Sequence, residues 1–186
     1  SYGCVPATVS TLTVTKTVVN DNGGTKVVGD FPLFVDGGSV VSGVQNGFNA
    51  GSYTVSETTQ TGYSEAIWGG DCAANGQITL ALGDVKTCTI TNDDVAPTLT
   101  LVKTVVNDNG GTKVVADFPL FIDGVAATSG TAYPVSANTV HTATETSQAG
   151  YTASIWSGDC AANGQITLVP GDAKTCTITN DDIAPT

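Results

Sequence analysis

The chain is one unit written twice, and that repeat limits its fold more than any other feature. The stretch KTVVNDNGGTKVV runs from Lys16 to Val28 and returns from Lys103 to Val115. DFPLF recurs at Asp30 and Asp117, GDCAANGQITL at Gly70 and Gly158, and KTCTITNDD at Lys86 and Lys174. Each copy must close its own core in just under ninety residues, enough for one small domain. The expected boundaries follow: an extension at 1–10, repeat one at 11–97 and repeat two at 98–186. Tandem small domains predict a modular array. The copies diverge mainly between Gly37 and Val55 and between Gly124 and Ala143, which marks loops or sheet edges.

Within each copy, Val- and Thr-rich runs are broken by turn formers. In repeat one these are Asn-Asp-Asn-Gly-Gly at 20–24, Asp-Gly-Gly at 36–38, Ala-Asn-Gly at 74–76 and Leu-Gly-Asp at 82–84. No helical periodicity of useful length interrupts them. About seven short strands per repeat at this spacing predict an all-β chain of two tandem Ig-like β-sandwiches. The linker Val95–Thr98 is short and contains Pro97, so the two domains are expected to stand roughly end to end.

Six Lys, no Arg and seventeen acidic residues give a formal net charge of −11. Such a surface repels phosphate backbones and anionic lipid, which excludes nucleic-acid and membrane-surface binding from the expectation. No apolar run is long enough to span a bilayer, and no leader pattern is present, so the expected chain is a mature, processed product.

Four of the five cysteines recur by repeat: Cys72 and Cys88 correspond to Cys160 and Cys176, with fifteen residues between partners. No CxxC or Cys/His spacing suggests zinc, so no metal or cofactor is expected, and one disulfide per domain is the natural reading. In the chain-entropy model, closing such a loop contributes roughly 3 kcal/mol. Disulfides imply an oxidising, extracellular compartment. Cys4 is left over and is a candidate for an intermolecular bond.

Strand parity gives the candidate site. Alternate side chains face opposite sides of a sheet. In Leu12–Val18 the core parity falls on Leu12, Val14, Lys16 and Val18, and copy two repeats it with Leu99, Leu101, Lys103 and Val105. In Tyr53–Glu57 it falls on Tyr53, Val55 and Glu57; in Cys88–Asn92 it falls on Cys88, Ile90 and Asn92. The equivalents of the last two polar residues are Glu145 and Asn180. Only three Glu stand among the seventeen acidic residues, and two of them fill this one equivalent position.

A lysine, a glutamate and an asparagine thus share the parity of the core in both copies. Burial favours the neutral, nucleophilic amine and the protonated carboxyl. A carboxyl in that state can polarise an amide carbonyl and carry the proton from the amine to departing ammonia. The product would be a Lys–Asn isopeptide bond. The competing reading of the same residues is a buried Lys–Glu ion pair with Asn as a hydrogen-bonding neighbour.

Tyr53-Thr-Val-Ser-Glu57-Thr-Thr-Gln-Thr-Gly62-Tyr63 resembles the glutamate motif of the B-type repeats of collagen adhesins and of pilin subunits. Thr15-Lys16 and Thr91-Asn92 are similar to the Thr-Lys pair of that family's first strand and the Asn that ends its last strand. The likeness extends over both repeats. It implies a prealbumin-like fold and a bond-forming triad of Lys16, Glu57 and Asn92, repeated as Lys103, Glu145 and Asn180. Copy two departs from the motif at His141 and Ala143, where an aromatic and a larger aliphatic residue are expected.

Asn20–Gly24 is read as a tight turn rather than a calcium loop, since it lacks the spaced carboxylates and the terminal glutamate of such loops. Asp93-Asp94 and Asp181-Asp182 are a weaker candidate for cation binding between domains. Trp68, Trp156, Tyr63 and Tyr151 are read as packing residues, and a single histidine, His141, excludes a repeated Ser/His/Asp triad. The combined expectation is no turnover enzyme but an extracellular, cell-surface structural protein, a stalk or pilus-like filament subunit. Its partners would be further copies or further repeats. The alternative is an adhesin that binds a host protein or glycan through the divergent loops, and a small-molecule carrier on a transthyretin-like fold ranks behind both.

Overall fold

In the first strand of the computed structural model, Ser10–Val19 (β1), Leu12, Val14 and Lys16 turn inward and are buried, while Thr11, Thr13 and Thr15 alternate outward. The structure describes residues 9–64 and 66–186. Cys4, and with it the expectation of an intermolecular bond there, lies outside the described residues.

The chain divides into two compact units, the main boundary falling after Asp94. In domain one β1 is followed by β2 (Leu33–Val35), β3 (Gly38–Val40), β4 (Gln45–Phe48), β5 (Gly51–Glu57), β6 (Gly69–Gly70), β7 (Gln77–Leu80) and β8 (Val85–Asp93). They form two four-stranded sheets, in the orders β4-β1-β8-β6 and β3-β2-β5-β7. Leu12, Val14, Leu33, Val35, Val55, Trp68, Ile78, Leu80 and Ile90 fill the space between. The turn signals predict about seven strands and the described residues hold eight. The addition is the two-glycine β6, which carries no strand-forming side chain and pairs with Thr89 and Cys88.

The first and last strands of the domain run parallel, from Thr11 opposite Val85 to Val19 opposite Asp93. Parallel neighbours cannot be joined by a tight hairpin. Here the connection is the rest of the domain, including the whole second sheet. The divergent segment between the copies contains β3 and β4, which are both edge strands.

Domain two repeats the plan with β9 (Thr98–Val106), β10 (Leu120–Ile122), β11 (Val125–Ala127), β12 (Ala132–Pro134), β13 (Val140–Glu145), β14 (Tyr151–Ala153), β15 (Ser157–Gly158), β16 (Gln165–Thr167) and β17 (Ala173–Asp182). Its sheets run β12-β9-β17-β14, with β15 also on β17, and β11-β10-β13-β16. Again the first and last strands are parallel, Thr98 opposite Ala173 through Val106 opposite Asp181.

Cys72, in the loop before β7, is disulfide-bonded to Cys88 of β8, and Cys160 to Cys176 of β17, each with Cα atoms 5.1 Å apart. Between these half-cystines and the next strand lie Gly76 and Gly164, at φ +84° and +82°. A Cβ at either would collide with a backbone oxygen, that of Val55 or of Ala143, so only glycine fits the turn.

Candidate functional site

Lys16 and Asn92 lie on adjacent strands of one sheet: the register sets Val18 opposite Asn92, which places Asn92 diagonally across from Lys16. Glu57 ends β5 in the facing sheet, opposite Leu33. The Lys16 Nζ donates to Glu57 Oε2 and to Asn92 Oδ1. Domain two places Lys103, Glu145 and Asn180 in the same arrangement, again with Nζ donating to both partners. All six residues singled out by parity therefore meet, three in each core.

The site is dry. The Lys16 and Lys103 side chains are wholly buried, and those of Glu57 and Glu145 are 6% and 7% exposed. Burial pushes both lysines below the ordinary amine pKa, against the opposing hydrogen bond and charge of the glutamate. The carboxamide is half-satisfied. Asn92 and Asn180 are each about 1% exposed, yet neither Nδ2 has a hydrogen-bond partner. A buried polar group left in that state costs about 1–3 kcal/mol. Oε1 of Glu145 is likewise buried without a partner.

An aromatic roof completes the site. A 3-10 turn at Val28–Asp30 delivers Phe31, and Asp30 holds that turn by accepting the Val27 N–H at 2.8 Å. Lys16 Nζ lies 4.3 Å from the Phe31 ring centroid, and Lys103 Nζ lies 4.6 Å from that of Phe118. Tyr63 meets Phe31 edge-on at 5.4 Å. Its hydroxyl accepts the Lys26 N–H at 3.0 Å and donates to Asn20. Tyr151 braces Phe118 in the same way, with its hydroxyl on Lys113 and Asn107. The backbone N–H of Lys16 donates to Ser42 Oγ at 2.8 Å, and that of Lys103 to Ser129 Oγ at 2.9 Å.

Parity missed the phenylalanines and the serines. The phenylalanine had a signal, since DFPLF recurs at the same distance from the lysine in both copies. The serines had little, since they stand in the divergent segments.

The second aspartate of each pair, Asp94 or Asp182, organises a loop. Asp182 accepts the backbone N–H groups of Asp108 and Asn109 at 3.0 Å and of Gly111. Against the opposing effect of burial, these donors hold its carboxyl below the usual range. Asp94 accepts the N–H of Asp21 at 3.0 Å in the equivalent loop.

A two-sheet sandwich whose first and last strands run parallel, repeated with the same buried triad, defines a class. Residues 7–90 and 94–178 each match the prealbumin-like fold domain, and the chain belongs to that family. No curated protein matches the chain significantly. Among solved structures, the Bacillus anthracis TIE protein is similar at 17% identity and a TM-score of 0.52, over 95% of this chain and 34% of that one. This chain thus spans about a third of that relative's length. The major pilin protein T-13 of Streptococcus pyogenes is similar at 15% identity and a TM-score of 0.39, over 95% of this chain and 100% of that one. The C-terminal fragment of the pilus adhesin SpaC of Lactobacillus rhamnosus GG is similar at 14% identity and a TM-score of 0.40, over 95% and 98%. No helix among the described residues is long and apolar enough to cross a membrane.

Proposed function

We propose that the chain is a structural segment of an extracellular, cell-surface stalk or filament, in which each domain locks itself with a Lys–Asn isopeptide bond beside its disulfide. The observation that carries this reading is the lysine amine held between a carboxyl and a carboxamide in both buried cores. In domain one, neutral Lys16 Nζ attacks Cγ of Asn92. The carbonyl electrons move onto Oδ1, which hydrogen bonding to the Glu57 carboxyl stabilises. Glu57 takes a proton from the attacking nitrogen and returns it to Nδ2, and the C–N bond breaks to release ammonia. The unsatisfied Nδ2 departs, and an amide takes the place of the buried amine. Each domain does this once, with Glu57 or Glu145 as the proton carrier, and no turnover follows.

Intact mass after disulfide reduction tests the reading. The expected wild-type chain is lighter than its sequence by two ammonia molecules, and Lys16→Ala or Glu57→Ala each restores one. A folded wild-type chain at full mass would leave only the buried ion pair.

A further inference from the structure

The two domains tie the same loop by different chemistry. In domain one the Tyr53 hydroxyl donates to the Asn49 carbonyl at 2.9 Å. In domain two the equivalent residue is His141, 5% exposed, whose Nε2 lies 2.8 Å from the Ser136 carbonyl oxygen. Its Nδ1 lies 2.6 Å from Asp123 Oδ2. Asp123 sits at φ +50° in the β10–β11 turn, and its Oδ1 accepts the Thr142 N–H at 2.8 Å. Asp36 makes that same turn in domain one, at φ +45° and with its Oδ1 on the Thr54 N–H at 2.8 Å. The turn therefore exists without a histidine, and the imidazole is what domain two adds.

Both partners of the ring are acceptors. A neutral imidazole has one N–H and one lone pair. In either tautomer it would satisfy one oxygen and set its lone pair against the other. Only the doubly protonated ring satisfies both. We propose that His141 stands as an imidazolium tying the Asp123 turn to the Ser136 loop, and that its deprotonation loosens the loop at 135–139, which Val135 and Asn138 also hold through their N–H groups on the Pro97 and Leu168 carbonyls, as a pH-sensitive latch.

The surroundings agree. Among the described residues of domain two, Asp123 faces the ring from its turn and Tyr133 lines the adjoining cleft from β12. β16 sets Ile166 opposite it and brings no titratable group. On its own strand, Glu145 is engaged by Lys103. The cleft beside the ring, about 270 Å³ and lined by Ile122, Val125, Tyr133 and Val135, gives protons a route. In domain one the Phe48 and Tyr53 rings pack together in the equivalent region, with centroids 5.1 Å apart.

Burial opposes the charge, but the Asp123 hydrogen bond, the Ser136 carbonyl and the Asp123 charge outweigh it and raise the His141 pKa above 6.5. For Asp123, burial is likewise outweighed by His141 and the Thr142 N–H, and its pKa falls below 3.8. A raised histidine contributes stability that is fully present below its free value and lost as pH rises through the folded one. The lowered aspartate contributes above its free value and loses that contribution as pH falls through its folded one. The latch is therefore strongest between 3.8 and 6.5 and weakens on the alkaline side.

The experiment uses the full chain. His141 is its sole histidine, so the imidazole nitrogen shifts can be followed from about pH 5 to about pH 9 without assignment ambiguity. Amide exchange at 135–139 is followed in parallel, with the Asn49 loop of domain one correcting for the intrinsic pH dependence. The expected ring is doubly protonated with a midpoint above the free value. Opening of 135–139 should rise about tenfold for each pH unit separating the two values. Asp123→Asn, which keeps an acceptor for Thr142, should lower the midpoint. His141→Tyr, the residue of domain one, should flatten the pH response while keeping the loop tied. A singly protonated ring at the acid end, a midpoint at or below the free value, or an unchanged response in His141→Tyr would each overturn the latch.

Discussion

Phe31 and Phe118 do for the lysine amines what water would otherwise prevent. An ammonium over an aromatic face is attracted to the ring, yet the same ring excludes the solvent that would hold the proton on nitrogen. Burial dominates here, since Lys16 and Lys103 are both shifted downward despite a carboxylate partner. Phe31→Ala should open domain one to water, return the Lys16 pKa toward its ordinary value and slow loss of the first ammonia in the newly synthesised chain. Mass spectra at timed intervals would reveal the lag, while domain two keeps its own rate as an internal control. The lost packing should also cost about 3–5 kcal/mol in denaturant unfolding. If domain one closes its bond as fast without Phe31, desolvation by this ring is not what prepares the amine.

At the scale of elements, the alternation of Thr with Val, Leu and Ile made β1, β8, β9 and β17 legible, because one face of each is buried and parity then names every inward residue. Lys16, Asn92, Lys103 and Asn180 are found that way, each 4% exposed or less. Parity fades at strand ends: Val18 shares the core parity yet is only half-buried. The 3-10 turns before Phe31 and Phe118 were not legible, since three residues carry no period and their cap, Asp30 or Asp117, reads equally well as a solvated loop residue. Equal spacing pointed to one disulfide per domain, and each ties the loop before β7 or β16 to the last strand. Replacing Cys72 and Cys88 together with Ser should lower domain-one stability by about 3 kcal/mol in urea titration but leave it folded. A smaller loss is expected if the isopeptide bond already confines the unfolded chain. The pair substitution made in a Lys16→Ala background separates these contributions.

Over the whole molecule, the parallel pairing of first and last strands decides what tension does to each domain. Force entering at the start of β1 runs along the strand to Lys16, and in the proposed bond it crosses there to Asn92 and leaves at the end of β8. Residues 17–91 then lie outside the load path, and in domain two residues 104–179 do. Pulling can straighten only the few residues before each lysine and after each asparagine, so neither sheet pair lengthens the chain by opening. Without the bond, β1 and β8 are held by a shearing ladder of backbone hydrogen bonds. That ladder gives way at finite force, and its failure releases the chain between them. Single-molecule extension of the full chain should therefore give no domain-sized unfolding step in the wild type. Lys16→Ala should add one step, shortened by the loop that the intact Cys72–Cys88 disulfide keeps closed, and Lys16→Ala with Lys103→Ala should add two. Two domain-sized steps in the wild type would refute the load-bearing role, because no chain clamped at these residues can yield that length.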